Sequence, residues 1–431
     1  MGSIDSSSKF IHRYAHVCVK PKSSTKRIVR GPRAGVNLKQ SLETVVIKYL
    51  VGAAAMATVA FPSIACAQSS VTLYGIIEND LAYFSSSSAK LGGPSKHLFQ
   101  AFSPLGEWGL TGAEDLGGGL KAIFTLENGF SGFNGAALQG GRMFGRQAFV
   151  GLRSSSFGTL TLGRQYDLGF DWMLPQAASL LLGGVITAHI GDNDNLFNDY
   201  RQNNSVKYAS PVFGGFQAGA MYAFSNSTDF ANNRAYNFGA RYSYGPFVAS
   251  ANYLRLDNPS AGQTATNNPN GAVGGEYGLG SSLMFYSAGF VKKQQVAKGA
   301  IGYSTSTVNT NFVFSDSRFN YADGSRLRLD NYEVNIRYTI IPSVSVGFAY
   351  VFTDGKADGA AGSSGVFQGD SPKWNQLNFA AFYFLSKSTT LTFRTVYQHA
   401  MGTANTTALN LTGFSGGKTT TAVLAGIKHA F

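Results

Sequence analysis

Tyr332-Glu-Val-Asn-Ile-Arg-Tyr338 sets Tyr332, Val334, Ile336 and Tyr338 on one face of an extended chain, with Glu333, Asn335 and Arg337 on the other. The same period of two recurs along most of the sequence. Leu391, Phe393 and Tyr397 alternate with Thr392 and Arg394. Phe216, Ala218, Ala220, Tyr222 and Phe224 alternate with Gln217, Gly219, Met221 and Ala223. Leu120, Ala122, Phe124 and Leu126 alternate with Lys121, Ile123, Thr125 and Glu127. In a soluble sandwich the apolar face would be buried. In a membrane barrel it would meet lipid, with the polar face turned to a wet lumen. Alternation alone does not separate the two cases.

The links between the runs separate them better. Sixteen strand-like runs can be placed, the first four beginning near residues 71, 106, 119 and 142 and the last near 421. Seven short links carry tight-turn chemistry, such as Glu114-Asp-Leu-Gly-Gly-Gly119, Pro211-Val-Phe-Gly-Gly215 and Ile341-Pro-Ser343. Eight longer links, among them 257–293, 353–373 and 401–420, are rich in Gly, Ser, Asn and Asp. Alternation of long and short links marks an even-stranded outer-membrane barrel, with the short turns periplasmic. The chain ends inside a strand, with Val423, Ala425, Ile427, His429 and Phe431 on one face. Such an end makes sense if that strand closes the barrel against the first and leaves no unpaired edge. The expected fold is therefore all-β, a transmembrane antiparallel 16-stranded barrel over residues 68–431.

The first 67 residues read differently. They hold ten Lys/Arg and two Asp/Glu, an apolar run from Tyr49 to Phe61, and then Ala65-Cys66-Ala67. This is the layout of a secretory signal peptide with a long basic n-region, and its apolar run is short for a membrane span. Cys66 as a lipid-attachment site is disfavoured by Ser63, where such signals prefer Leu. The leader also accounts for most of the charge. Of 35 basic and 23 acidic residues, the remaining chain keeps 25 and 21, so the net +12 does not argue for nucleic acid as a partner. Both cysteines, Cys18 and Cys66, belong to the leader, which leaves the barrel without disulfide or thiol chemistry. No cofactor or metal site is expected.

One long link stands apart. Residues 165–201 carry an apolar middle (Met173-Leu-Pro, Ser179-Leu-Leu-Leu182), then Asp192, Asp194 and Asp199, and end at Arg201. A connection of this length is functional or disordered, and this one is too apolar for simple disorder. It is expected to fold into the barrel and narrow a pore.

Several blocks resemble the general porins of beta-proteobacteria: Ser70-Val-Thr-Leu-Tyr-Gly75, Trp108-Gly-Leu-Thr-Gly with Glu114-Asp-Leu-Gly-Gly-Gly, Gly145-Arg-Gln-Ala-Phe-Val-Gly-Leu152, Phe157-Gly-Thr-Leu-Thr-Leu-Gly-Arg164, Asn204-Ser-Val-Lys-Tyr208 and the terminal Gly426-Ile-Lys-His-Ala-Phe431. The resemblance spans the whole chain after the leader. It implies a homotrimer of 16-stranded barrels in the outer membrane, in contact with lipid and lipopolysaccharide. The third loop folds inward as a constriction, and small hydrophilic solutes and ions pass, often with anion preference. It also implies that Arg146 and Arg201 are constriction arginines of the wall and that Glu127 is a wall acid. Two departures weaken anion preference. Glu107 in Gly106-Glu-Trp-Gly109 stands where the family has an arginine, and Thr111 where Lys or Arg is common.

Opposed charges across a narrow aqueous gap create a transverse field that biases passage by charge. Asp192 and Asp194 are expected to face Arg146 and Arg201 across such a gap, with Glu107 and Glu127 on the wall. Strand parity puts Arg201 on the face of Ser205 and Lys207, and Glu127 on that of Thr125 and Lys121. The bland alternative is that these are ordinary lumen charges that no solute feels. Tyr74, Tyr338, Tyr383 and Phe431 fit interfacial girdles or subunit contacts. A barrel enzyme, phospholipase or protease, would need a histidine with a Ser or Asp partner. Of His97, His189, His399 and His429, only His189 lies near aspartates. His97 is expected in an early loop. Adhesion through the external loops is a third class of function.

Overall fold

Each alternating run forms a strand that pairs with its neighbours in sequence, and the last pairs with the first. The computed structural model describes residues 70–88, 93–263, 268–277, 290–358, 370–412 and 415–431. The expected leader lies outside them. The strands are β1 (Ser70–Ser87), β2 (Lys96–Gly117), β3 (Leu120–Gly129), β4 (Gln147–Ser154), β5 (Gly158–Gln165), β6 (Gln202–Ala209), β7 (Phe216–Ala223), β8 (Arg234–Tyr244), β9 (Phe247–Asp257), β10 (Val291–Ser304), β11 (Val308–Tyr321), β12 (Arg326–Ile341), β13 (Val344–Asp358), β14 (Pro372–Phe384), β15 (Thr389–Gly402) and β16 (Thr419–Ala430). All pair antiparallel in a closed barrel. Closure runs from Ile76↔Ala430 to Phe84↔Ala422. Two backbone hydrogen bonds of 3.0 Å between Gly75 and Phe431 complete it. Closure satisfies every strand edge, which a wall in hydrocarbon requires.

Two strand starts differ from the sequence reading. β2 begins at Lys96, ten residues before the expected 106, because Pro104 sits where the register with β1 slips between Glu78 and Asp80. A proline cannot donate to the ladder and is accommodated at such a bulge, so the strand continues through it. His97 is accordingly a strand residue, its Nδ1 3.0 Å from the Tyr83 hydroxyl. β4 begins at Gln147 rather than 142, since the Arg142 and Met143 carbonyls accept from Asn128 Nδ2 instead of joining the ladder.

The long–short alternation of links holds except at the sixth outer link, which shrinks to residues 322–325 because β11 and β12 continue as a paired ribbon. The other outer links used below are L2 (130–146), L3 (166–201), L5 (258–290) and L8 (403–418).

The lumen is less polar than expected. Inward residues of β9 to β14, including Leu254, Leu256, Val296, Phe319, Leu329 and Trp374, form one buried apolar cluster with residues of three loops. L3 gives Ile190 and Tyr200, L5 gives Ala272, Val273 and Tyr277, and L8 gives Ala404 and Ala408. The loops fold inward because burying a side chain the size of Ile190 or Val273 is worth about 1.5–3 kcal/mol, with the smaller alanines adding less. By contrast, inward residues of β1 to β4 such as Thr72, Thr111, Lys121 and Arg153 remain exposed.

Candidate constriction site

L3 is built to lie along the inner wall. Asp167 caps its first helix, α1 (Leu168–Met173), by accepting from the backbone N–H groups of Gly169 at 2.7 Å and Phe170 at 3.1 Å. Trp172 of α1 packs where Gly219 and Gly239 leave the wall without side chains. A second helix, α2 (Ala178–Leu181), begins where the Glu333 carboxylate accepts from Ala178 N–H at 2.8 Å. Wall side chains then hold the L3 backbone by its carbonyls. Lys298 Nζ donates to Asp194 at 2.9 Å, Gln294 to Asn193 at 3.0 Å, Gln376 to Ala188 at 3.2 Å and Arg394 Nε to Leu182 at 3.2 Å. L3 therefore follows the wall from β7 round to β15 and, through Val185 and Ile186, on to Ala82 and Phe84 of β1, while the inner side toward the short-turn ends of β1 to β4 is left uncovered.

At the edge of that uncovered side three of the expected residues meet. Arg146 Nη2 lies 2.6 Å from Glu107, and its Nε 2.8 Å from Glu127. Glu127 also accepts from the hydroxyls of Tyr166 and Tyr74, each at 2.6 Å. The guanidinium carbons of Arg146 and Arg201 both lie 5.6 Å from the centre of the Tyr166 ring. Tyr74 is thus a lumen residue rather than a girdle residue. It reaches Glu127 across Gly109, where a Cβ would come within 2.7 Å of the Tyr74 ring. Tyr338, Tyr383 and Phe431 are exposed on the outer face.

Arg201 arrives by a different route from the one parity implied. β6 spends three residues, Ser205 to Gln202, against two on β5, Gly163 to Gln165, and Asn204 sits at φ 50° in the resulting bulge. Gln202 therefore shares the Ser205 face. Arg201 precedes the strand, and its Nη1 donates to the Asp199 carbonyl at 3.3 Å.

Asp192 and Asp194 are not brought to this cluster. Asp192 accepts from the backbone N–H groups of Phe197 and Asp199, both at 2.9 Å, and so folds the return of L3. Asp194 takes His189 Nδ1 at 2.8 Å and the Ser315 hydroxyl at 2.6 Å, while His189 Nε2 meets Glu333 at 3.1 Å. Burial alone would lower the His189 imidazole. The Asp194 carboxylate beside it and the hydrogen bonds to Asp194 and Glu333 push it instead up to about 10. Burial would raise Asp194, but the His189 charge holds it well below the usual carboxylate range. Asp199 is pushed up to about 7 by burial, only partly offset by the Asn410 hydrogen bond and the Arg201 charge. Asp192 is raised by burial and by the charges of Asp199 and Asp194. Backbone N–H groups of L3 thus take Asp192, and His189 with Ser315 takes Asp194, in place of the expected arginines.

Two charged groupings went unread in the sequence. Arg394 lies 2.7 Å from Asp80, is also paired with Glu78, and is fully buried on the inner wall. Period two placed Arg394 on the polar face opposite Leu391 and Phe393, but its meeting with Glu78 and Asp80 needs β15 and β1 on either side of β16. Arg142 and Arg164 share Glu276 of L5, at 2.9 and 2.5 Å. No local signal links residues so far apart.

Residues 52–418 match the family described as Gram-negative porin. The chain belongs to that family. Among its relatives, this porin is 32% identical over 420 residues to an outer membrane porin protein of Bordetella pertussis, covering 89% of this chain and 100% of the relative. It is 28% identical over 390 residues to outer membrane porin protein 32 of Delftia acidovorans, covering 88% and 98%. Its fold is that of the anion-selective porin from Comamonas acidovorans, with a TM-score of 0.64 at 23% identity over 84% of this chain and 100% of that one. This porin is accordingly an outer-membrane β-barrel, and its strands cross the membrane.

Proposed function

We propose that this porin passes small hydrophilic solutes and ions by passive diffusion, along a water-filled path past the exposed inner residues of β1 to β4, with near-neutral selectivity. The observation that carries the reading is the contact of Arg146 with both Glu107 and Glu127. Two arginines and two glutamates gathered at one edge balance in charge, so little net field reaches a passing ion. The uncovered wall has a polar recess of about 140 Å³ lined by Thr72, Thr111, Thr125 and Arg153. The name of the Comamonas relative favours anions, and Glu107 tempers that preference here. A homotrimer is part of the same reading. Around β15, β16 and β1 the outer face at the level of Tyr397, Thr421 and Ser85 carries no formal charge, which suits packing against another subunit.

The barrel-enzyme alternative loses its one candidate, because His189 is 3% exposed and both ring nitrogens meet carboxylates. Such a ring has no access to a substrate and no free nitrogen to take a proton.

Planar bilayers test the reading. The purified porin is expected to insert in discrete conductance steps that close in threes, with a reversal potential near zero in a salt gradient. Absence of steps would remove the pore, and a strong preference for either ion would remove the charge balance. Closures that never group in threes would remove the trimer.

A further inference from the structure

Asparagine followed by glycine occurs three times in the chain, at Asn128-Gly129, Asn134-Gly135 and Asn270-Gly271. Glycine has no side chain to shield its amide nitrogen, which can reach back to the asparagine side chain where the backbone is free to turn. The fold treats the three pairs differently.

Asn128 is held hardest. It sits in the β3 ladder opposite Trp108, 7% exposed, and its Nδ2 donates to the carbonyls of Arg142 and Met143. Asn134 is exposed in L2, yet its Oδ1 accepts from Ala136 N–H at 3.0 Å and Gly135 N–H donates to the Ser131 carbonyl at 2.8 Å. The attacking amide and the attacked side chain are thus both engaged. Asn270 is the loose one. Asn268-Pro-Asn-Gly271 has the residues of a tight turn, with Pro269 setting its entry. Gly271 N–H closes the turn on the Asn268 carbonyl at 3.4 Å, long for such a bond. Asn270 is exposed, and its side chain makes no hydrogen bond among the described residues.

The surroundings make a change there matter. Asn204 Nδ2 donates to the Asn270 and Gly271 carbonyls at 2.6 and 3.3 Å, and Asn203 Nδ2 to that of Gly271 at 3.2 Å. These bonds seat L5 on the β6 bulge. Asn270 also lines a polar recess of about 590 Å³ together with Arg142 and Arg164. Among the described residues Arg142 uses Nη1 alone, for the Gln139 carbonyl and Glu276, so the rest of its guanidinium can take a further anion.

We propose that Asn270-Gly271 is a site of spontaneous modification, at which the asparagine is converted to isoaspartate and aspartate in the folded protein. The Gly271 nitrogen bonds to Asn270 Cγ, the Cγ–Nδ2 bond breaks, and ammonia leaves with the proton of the Gly271 N–H. Water then opens the cyclic imide at either carbonyl. One product is aspartate. The other is isoaspartate, whose main chain runs through Cγ and is longer by a methylene. Both place a carboxylate in the recess beside Arg142. The longer chain falls between the two carbonyls that Asn203 and Asn204 hold, so isoaspartate loosens L5 from β6.

The test ages the purified, folded porin in detergent at mildly alkaline pH and maps its peptides by mass, with isoaspartate separated from aspartate. Modification of Asn270 is expected to outrun that of Asn134 several-fold, with Asn128 slower still. In the chain unfolded in guanidinium the three should react at similar rates, which assigns the difference to the fold. Equal rates for Asn270 and Asn128 in the folded protein would overturn the proposal. So would an Asn270 that stays intact there while it reacts in the unfolded chain. Aged wild type is also expected to be cut within L5 by added protease several-fold faster than fresh protein. The variant Asn270→Gln keeps the turn and forms its ring far more slowly, so it should show no such gain. Unchanged cutting of wild type already modified at Asn270, or an equal gain in the variant, would overturn the loosening of L5.

Discussion

On the proposed reading, Glu107 is one side chain whose identity decides the charge a passing ion meets. It meets Arg146 at 2.6 Å, so the arginine is held against the wall between two carboxylates. Glu107→Arg removes one carboxylate and adds a guanidinium beside Arg146. The anion-to-cation permeability ratio read from the reversal potential in a salt gradient is expected to rise several-fold, and no change would mean that ions pass away from this edge. The sequence carried the types of residue here: Arg146, Glu107 and Glu127 could all be named from motif and parity. What it lacked was their mutual contact, because Arg146 reaches the lumen from the end of L2 and Tyr74 crosses the bare backbone of Gly109. The destination of Asp192 and Asp194 was equally hidden, since their partners His189, Ser315 and the L3 backbone come together only after the loop folds.

L3 behaves as an element with its own pH response. His189 is raised from an ordinary 6.5 to about 10, so its contribution to holding L3 is complete below 6.5 and is lost as pH rises toward 10. Asp199 is raised from 3.8 to about 7, so the neutral carboxyl favours the folded loop below 3.8 and that preference fades as pH rises toward 7. Asp194 is lowered, so its contribution is present above 3.8 and is lost in stronger acid. L3 is accordingly expected to loosen in two stages with rising pH, read as growing single-channel noise between pH 4 and 10. Asp199→Asn should flatten the lower stage and leave the upper one. A noise level independent of pH in the wild type would contradict the assignment. The element itself was legible as an inward loop, because its apolar middle had no reason to face water. Its path round the wall was not, since the anchors Lys298, Gln376 and Arg394 lie on strands far away in sequence.

At the scale of the whole molecule, period two and the lengths of the links were enough to specify sixteen strands and their closure through Phe431. They did not show that L3, L5 and L8 share an apolar core with the inner wall of β9 to β14. Period two reports only which residues share a face, and an inward Leu254 or Val296 reads the same whether a loop or water covers it. On the proposed reading that core makes the channel eccentric, and the claim can be tested by placing a thiol on each side. Cys18 and Cys66 both precede the barrel, so an introduced cysteine is the single thiol in the wall. Thr111 is exposed on the uncovered wall, whereas Asn252 is buried behind α1. A bulky thiol reagent added during bilayer recording is predicted to reduce the conductance of Thr111→Cys and leave Asn252→Cys unchanged. Block of Asn252→Cys with Thr111→Cys unaffected would contradict the account.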